Sequence, residues 1–214
     1  MRTISTTLAL ALALAGASVA QEWELGGMAS YGFYRNATAT SPAGNAVAGF
    51  SPGIGFGAVV GHDSKGRLLG GEFRYSYRNN ELQLTSGGTK TTFNGNAHIV
   101  TYELLVHPRM KNESKVQPFL AAGGGMKLYR GTGREASFQP LDNIALLTRT
   151  QQAQPLISVG GGVKLMLTPH IILRAEMRDY ITPFPKDVIA PVPGAKISGW
   201  LNDFVPMVGI SYIF

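Results

Sequence analysis

The sequence contains no cysteine, so no disulfide holds the fold and no thiol chemistry is available to it. Charged residues are scarce at 15%, where a water-facing surface usually carries about a quarter or more. After Ala20 no apolar run approaches the ~20 residues a helix needs to cross a bilayer. Any membrane crossing by that part of the chain must therefore be made by strands. Four dispersed histidines without cysteine do not make a metal-ligand set, and no metal or cofactor is expected. The triple glycines Gly123 to Gly125 and Gly160 to Gly162 open no helix, so they lack the dipole and N–H cradle of a phosphate loop. They read as places of close packing. The formal charge of +6 points toward an anionic partner such as a phosphate or an acidic polysaccharide, and nothing in the sequence points toward nucleic acid.

The amino-terminal stretch has its own pattern. A basic start, Met1-Arg2-Thr3, precedes an unbroken run of Leu, Ala and Gly from Leu8 to Ala17, and Ala17-Ser18-Val19-Ala20 follows it. A basic start, a short apolar run and a small-x-small site predict a secretory signal peptide over 1–20. Residues 21–214 are then one domain.

That domain alternates with a period of two. Eight stretches have the pattern: Trp23 to Tyr34, Gly53 to Gly61, Leu68 to Arg78, His98 to His107, Gln117 to Tyr129, Leu156 to Leu167, Leu173 to Tyr180, and Phe204 to Phe214. Apolar residues fall on one face of each, with glycines and polar residues on the other. The connections alternate between long and short. Arg35 to Gly49, Asn79 to Asn96, Gly131 to Ala153 and Thr182 to Trp200 are long, and Leu82 and Leu84 suggest strands that run on into the second.

The last stretch has Phe204, Pro206, Val208, Ile210, Tyr212 and Phe214 on one face. Such a stretch, closing on Phe with Tyr two before it, resembles the final strand of bacterial outer-membrane barrels. The loop asymmetry over the whole domain resembles the OmpA/OmpX-type eight-stranded barrel. The resemblance implies an all-β fold, an eight-stranded antiparallel up-and-down transmembrane β-barrel, located in the bacterial outer membrane. It implies periplasmic ends and short turns, and four extracellular loops. It also implies that Val208, Ile210, Tyr212 and Phe214 form the signal read by the insertion machinery. The expected partners are outer-membrane lipid and lipopolysaccharide, that machinery, and periplasmic chaperones, with the surface ligand unnamed.

Alternation alone does not say which face is inside, because a soluble barrel would bury the Leu and Phe face. Aromatics near the strand ends favour a lipid-facing apolar side: Trp23 and Tyr212 at one end, Tyr31, Tyr75, Tyr77 and Trp200 at the other. Trp and Tyr prefer the two interfaces of a bilayer. The opposite face carries charges of both signs: Glu72, Arg74, Glu103, Lys127, Lys164, Arg174, Glu176 and Arg178. An eight-stranded barrel is just wide enough to be filled by side chains, and buried charges must pair. Bases outnumber acids in this set, so each carboxylate is expected to be shared. Gly53, Gly55 and Gly57 are expected to make room for the longer side chains. Two residues resist the pattern. Pro206 lies inside a closing strand with no free edge, which predicts a bulge or a lost ladder bond. Asp179 falls on the lipid-facing register near the loop end.

These residues point to a non-enzymatic envelope or surface-interaction protein. A narrow ion or solute channel through the charged lumen is the alternative. An outer-leaflet lipid-modifying enzyme is the third reading. It would need a Ser/His pair with an orienting carboxylate, and only His98 lies at the appropriate end.

Overall fold

The computed structural model describes residues 22–63, 68–108, 114–135 and 138–214. The expected leader, 1–20, lies outside the described residues. The described chain is all strand and connection. Eight long strands are β1 (Glu22–Arg35), β4 (Gly53–Asp63), β5 (Leu69–Asn79), β8 (Gly95–Val106), β9 (Val116–Gly131), β11 (Gln151–Met166), β12 (Ile171–Pro183) and β15 (Trp200–Ile213). Seven short ones lie in the long connections: β2 (Ala37–Ser41), β3 (Gly44–Phe50), β6 (Leu82–Ser86), β7 (Thr89–Phe93), β10 (Ala145–Leu147), β13 (Ile189–Pro191) and β14 (Lys196–Ile197).

The long strands close on themselves in the order β1-β15-β12-β11-β9-β8-β5-β4, and β4 pairs antiparallel with β1. Each barrel strand lies beside the next barrel strand in sequence, which is an up-and-down barrel. Following paired residues once round from Phe33 returns to β1 at Trp23, ten residues lower. That offset is the stagger a tilted, closed sheet requires. At ~3.3 Å per residue and a tilt of ~40°, the distance from Trp23 to Phe33 spans about 25 Å along the axis, the height of the apolar band on a membrane barrel.

The orientation of the two faces is unambiguous. Leu25, Ile54, Phe56, Phe73, Leu104, Leu120, Ile157 and Ile210 are exposed on the outer wall. Arg74, Arg78, Arg174, Arg178 and Lys127 are among the most completely buried side chains, inside it. A soluble barrel would have these reversed. Trp23, Tyr31, Tyr75 and Trp200 are exposed on the outer wall, while Tyr77 is half-buried against Phe56.

Pro206 interrupts one ladder without a bulge. β1 and β15 pair through Ser30 and Met207, then resume at Phe33 and Phe204 in unchanged register. The bridges opposite Tyr31 and Gly32 are lost because proline has no N–H to give. On its other side Pro206 still pairs with Met177 of β12.

The long connections are more than loops. β14, β2, β3, β6 and β7 form one five-stranded sheet, and β10 pairs with β13. β6 and β7 turn through Gly87 and Gly88, both at positive φ (56° and 83°), as a two-residue hairpin requires. One face of these sheets buries Ala39, Ala46, Ala48, Leu82, Leu84, Phe93, Ile144, Leu147, Val188, Ile189 and Ile197 in a single apolar core. Ala97, Tyr129 and Leu201 from the barrel rim belong to the same core. The connections therefore fold into a head seated on the barrel mouth. Sequence alternation marked Leu82 and Leu84, but the alanine-rich strands β2 and β3 alternate Ala with Thr, Asn and Val. The hydrophobic contrast there is too small to read as a strand.

Candidate functional site

Two constellations of buried charge fill the barrel. The larger sits in the half nearer the short turns. Glu72 accepts from Arg174 Nη2 (2.6 Å) and Arg178 Nη2 (3.2 Å) and is paired with Arg74. Glu176 accepts from Arg74 Nη2 (2.7 Å) and Arg178 Nη2 (3.1 Å) and is paired with Arg174. Arg174 Nη1 also reaches Glu24 (2.6 Å), which takes Lys164 Nζ on its other oxygen (2.7 Å). Glu103 accepts from Arg178 Nε (2.8 Å) and from the hydroxyls of Ser158 (2.6 Å) and Thr101 (3.2 Å). Among the described residues, this cluster joins four carboxylates to four cations. Glu72 and Glu176 are each shared by three arginines, whereas Glu103 takes one cation and two hydroxyls.

The smaller constellation lies nearer the head. Lys127 Nζ donates to Asp203 Oδ2 (2.6 Å) and to the Tyr34 hydroxyl (2.9 Å). Arg78 Nη1 is paired with the same Asp203 carboxylate. Lys127 also lies 4.7 Å from the Tyr34 ring centroid and 4.8 Å from that of Tyr129, distances at which a ring face attracts a cation. An apolar layer of Met28, Val59, Ile99, Leu156, Tyr180, Val205 and Met207 packs between strands at mid-lumen.

The structure separates the eight charges that the sequence groups together. Seven belong to the larger cluster, and Lys127 belongs with Arg78 and Asp203. Those two, and Glu24, were missed. Glu24 and Arg78 stand on the polar register, so alternation alone could have found them. Asp203 lies one residue before the stretch read as the last strand, which in fact starts at Trp200.

The glycines work differently from expectation. A Cβ at Gly53, Gly55 or Gly57 would strike backbone oxygens of Asn79, Tyr77 or Tyr75. Their role is close strand approach. Gly32 lies against the Arg78 guanidinium and makes room for it; at Gly160 and Gly162 the nearest atoms are again backbone oxygens, of Met177 and Ala175, with the Arg178 and Glu176 stems next.

Outside the lumen, Asp179 is half-buried and accepts from Asn202 Nδ2 (2.8 Å). His98 Nδ1 lies 2.9 Å from the Tyr75 hydroxyl and packs edge-on to Tyr77, so its close partners belong to the aromatic girdle. On the head, a cavity of about 220 Å³ opens beside β7, lined by Thr91, Thr92, Phe93, Arg134, Phe138, Gln139, Pro140 and Leu147. Phe138 is 72% exposed at its rim.

Comparison with known proteins agrees with this architecture. No family model matches the sequence, and no curated protein matches it. Solved structures do. The outer membrane protein OprG from Pseudomonas aeruginosa is 14% identical with a TM-score of 0.63, over 91% of this chain and 96% of that one. The outer membrane protein AlkL, solved in lipid bilayers, is 13% identical with a TM-score of 0.55, over 91% and 90%. Neisserial surface protein A is 13% identical with a TM-score of 0.52, over 90% and 97%. At these identities the likeness is one of fold, and it agrees with the closed eight-stranded sheet: the chain has the fold of the eight-stranded outer-membrane β-barrels.

Proposed function

We propose that this chain is an integral protein of the bacterial outer membrane, exported by a cleaved leader, that neither conducts nor catalyses and instead presents a folded extracellular head for surface interaction. One observation carries the reading: a lumen of fully buried ion pairs lies under the apolar core of the head. A conducting lumen needs hydrated, exchangeable charges. Here Glu103, Lys127, Arg178 and Asp203 have no exposed surface. A buried pair holds its geometry because separating it is expensive. The head, with its own core, is the part built to present a constant shape. Its crevice beside β7, with Phe138 and Arg134 at the rim, is a concave surface open to a ligand. The pairing of His98 with Tyr75 supports the non-enzymatic reading over lipid modification. Outer-membrane lipid and lipopolysaccharide are the proposed surroundings of the apolar wall.

Planar-bilayer recording tests the reading. The purified protein is expected to give no steady single-channel steps. Reproducible steps would move a narrow channel ahead of a display role.

Assembly supplies a second test. The Phe214 N–H donates to Trp23 O (2.9 Å), and the Tyr212 and Phe214 rings pack edge-on at 5.1 Å. The proposed insertion signal therefore also seals the β1–β15 seam. Removing Phe214 is expected to lower outer-membrane levels several-fold while export continues, read by membrane fractionation. Undiminished levels would count against the signal.

A further inference from the structure

We infer that the middle of the barrel binds a small monovalent anion of halide type, held between the two charge clusters. Among the described residues, the larger cluster joins four carboxylates to four cations. In the smaller, Arg78 and Lys127 share one described carboxylate, that of Asp203. Arg78, Lys127 and Asp203 are each at most 1% exposed. An unbalanced cation is thus shut away from water, which is costly unless something neutralises it.

The hydrogen-bond inventory points the same way. Around the apolar layer, three buried polar atoms have no acceptor among the described residues: Arg74 Nε, Arg78 Nε and the Tyr180 hydroxyl. An Arg Nε–H can only donate, and a phenol ordinarily carries one proton to give. Arg74 is short of acceptors a second time. Its Nη1 donates to two thioether sulfurs, Met28 Sδ (2.9 Å) and Met207 Sδ (3.3 Å), and sulfur is a weak acceptor. A surplus of donors beside a surplus of positive charge is the chemistry of an anion site. Water can satisfy the donors, but it leaves the charge uncompensated. The surplus is a single charge, which a small monovalent anion matches and a phosphate exceeds.

The test is thermal unfolding of the full-length protein, refolded in lipid vesicles, at constant ionic strength. Chloride replaces isethionate, which is too large to enter. If the site binds at about 10 mM, raising chloride to about 300 mM should raise the wild-type Tm by roughly 4–8 °C. Tyr180→Phe should shrink the shift, and Lys127→Met, which removes the surplus charge, should abolish it. Crystals grown in bromide provide a readout that needs no variant. An anomalous peak should lie among Arg74, Arg78 and Tyr180. A Tm indifferent to the anion, a shift of wild-type size in Lys127→Met, or bromide crystals without that peak would overturn the inference.

Discussion

Glu72→Ala is expected to lower the unfolding free energy by about 3–5 kcal/mol, the cost of breaking a buried pair by removing one partner. Glu72 is 1% exposed and receives Arg74, Arg174 and Arg178. Deleting it leaves three guanidiniums facing one another at low dielectric, with only the neighbouring carboxylates to hold them. The penalty is the stranded cations rather than the worth of any one bond. The control is on the other side of the same wall. Leu173 is 44% exposed on the outer wall, so Leu173→Val should cost only about 1 kcal/mol, because that side chain meets fluid lipid rather than packed protein. Urea unfolding in lipid vesicles measures both. If Glu72→Ala unfolds like wild type, the lumen is solvated and the channel reading gains.

How much of this was readable beforehand depends on contrast between neighbouring residues. In β12, Leu173, Ala175 and Met177 alternate with Arg174, Glu176 and Arg178, and the strand, its face and its lumenal role follow at once. The barrel's closure followed from counting such stretches and from the rhythm of long and short connections. Pro206 yielded a lost ladder bond because the missing N–H is a local fact that no fold repairs. The head was hidden for the opposite reason. In its strands β2 and β3 most buried side chains are alanines, scarcely more apolar than the Thr, Asn and Val beside them. Its core exists only once β2, β3, β6, β10 and β13 have been brought together from distant parts of the sequence.

Pair assignments were hidden in the same way. Alternation puts a charge inside but does not give its height, and height decides its partners. Lys127 was grouped with the other interior bases because it shares their face. In the barrel it stands near the head end of β9, across from Asp203 rather than Glu72 or Glu176. The stagger of a closed sheet sets these levels, and the stagger can be read only from the pairing register. Asp203 itself shows how a boundary error propagates. With the last strand started at Phe204, the acid that anchors Arg78 and Lys127 fell just outside it.

That acid gives the other large effect. Asp203→Ala should destabilise the protein by about 3–5 kcal/mol, since it removes the only carboxylate bonded to Arg78 and Lys127 among the described residues. Both cations would remain buried. The aromatic faces of Tyr34 and Tyr129 offset only part of the loss, because a ring face offers a cation far less than a carboxylate does. A second substitution separates this explanation from a simple packing defect. Lys127→Met keeps the stem of the side chain and removes its charge. If stranded charge is the cause, Asp203→Ala with Lys127→Met should be more stable than Asp203→Ala alone, by about 1–3 kcal/mol, the scale of the penalty for a buried polar group left without its partner. Packing predicts the reverse order, because the double variant has lost two native side chains instead of one. Vesicle unfolding of the two variants, side by side, decides between them.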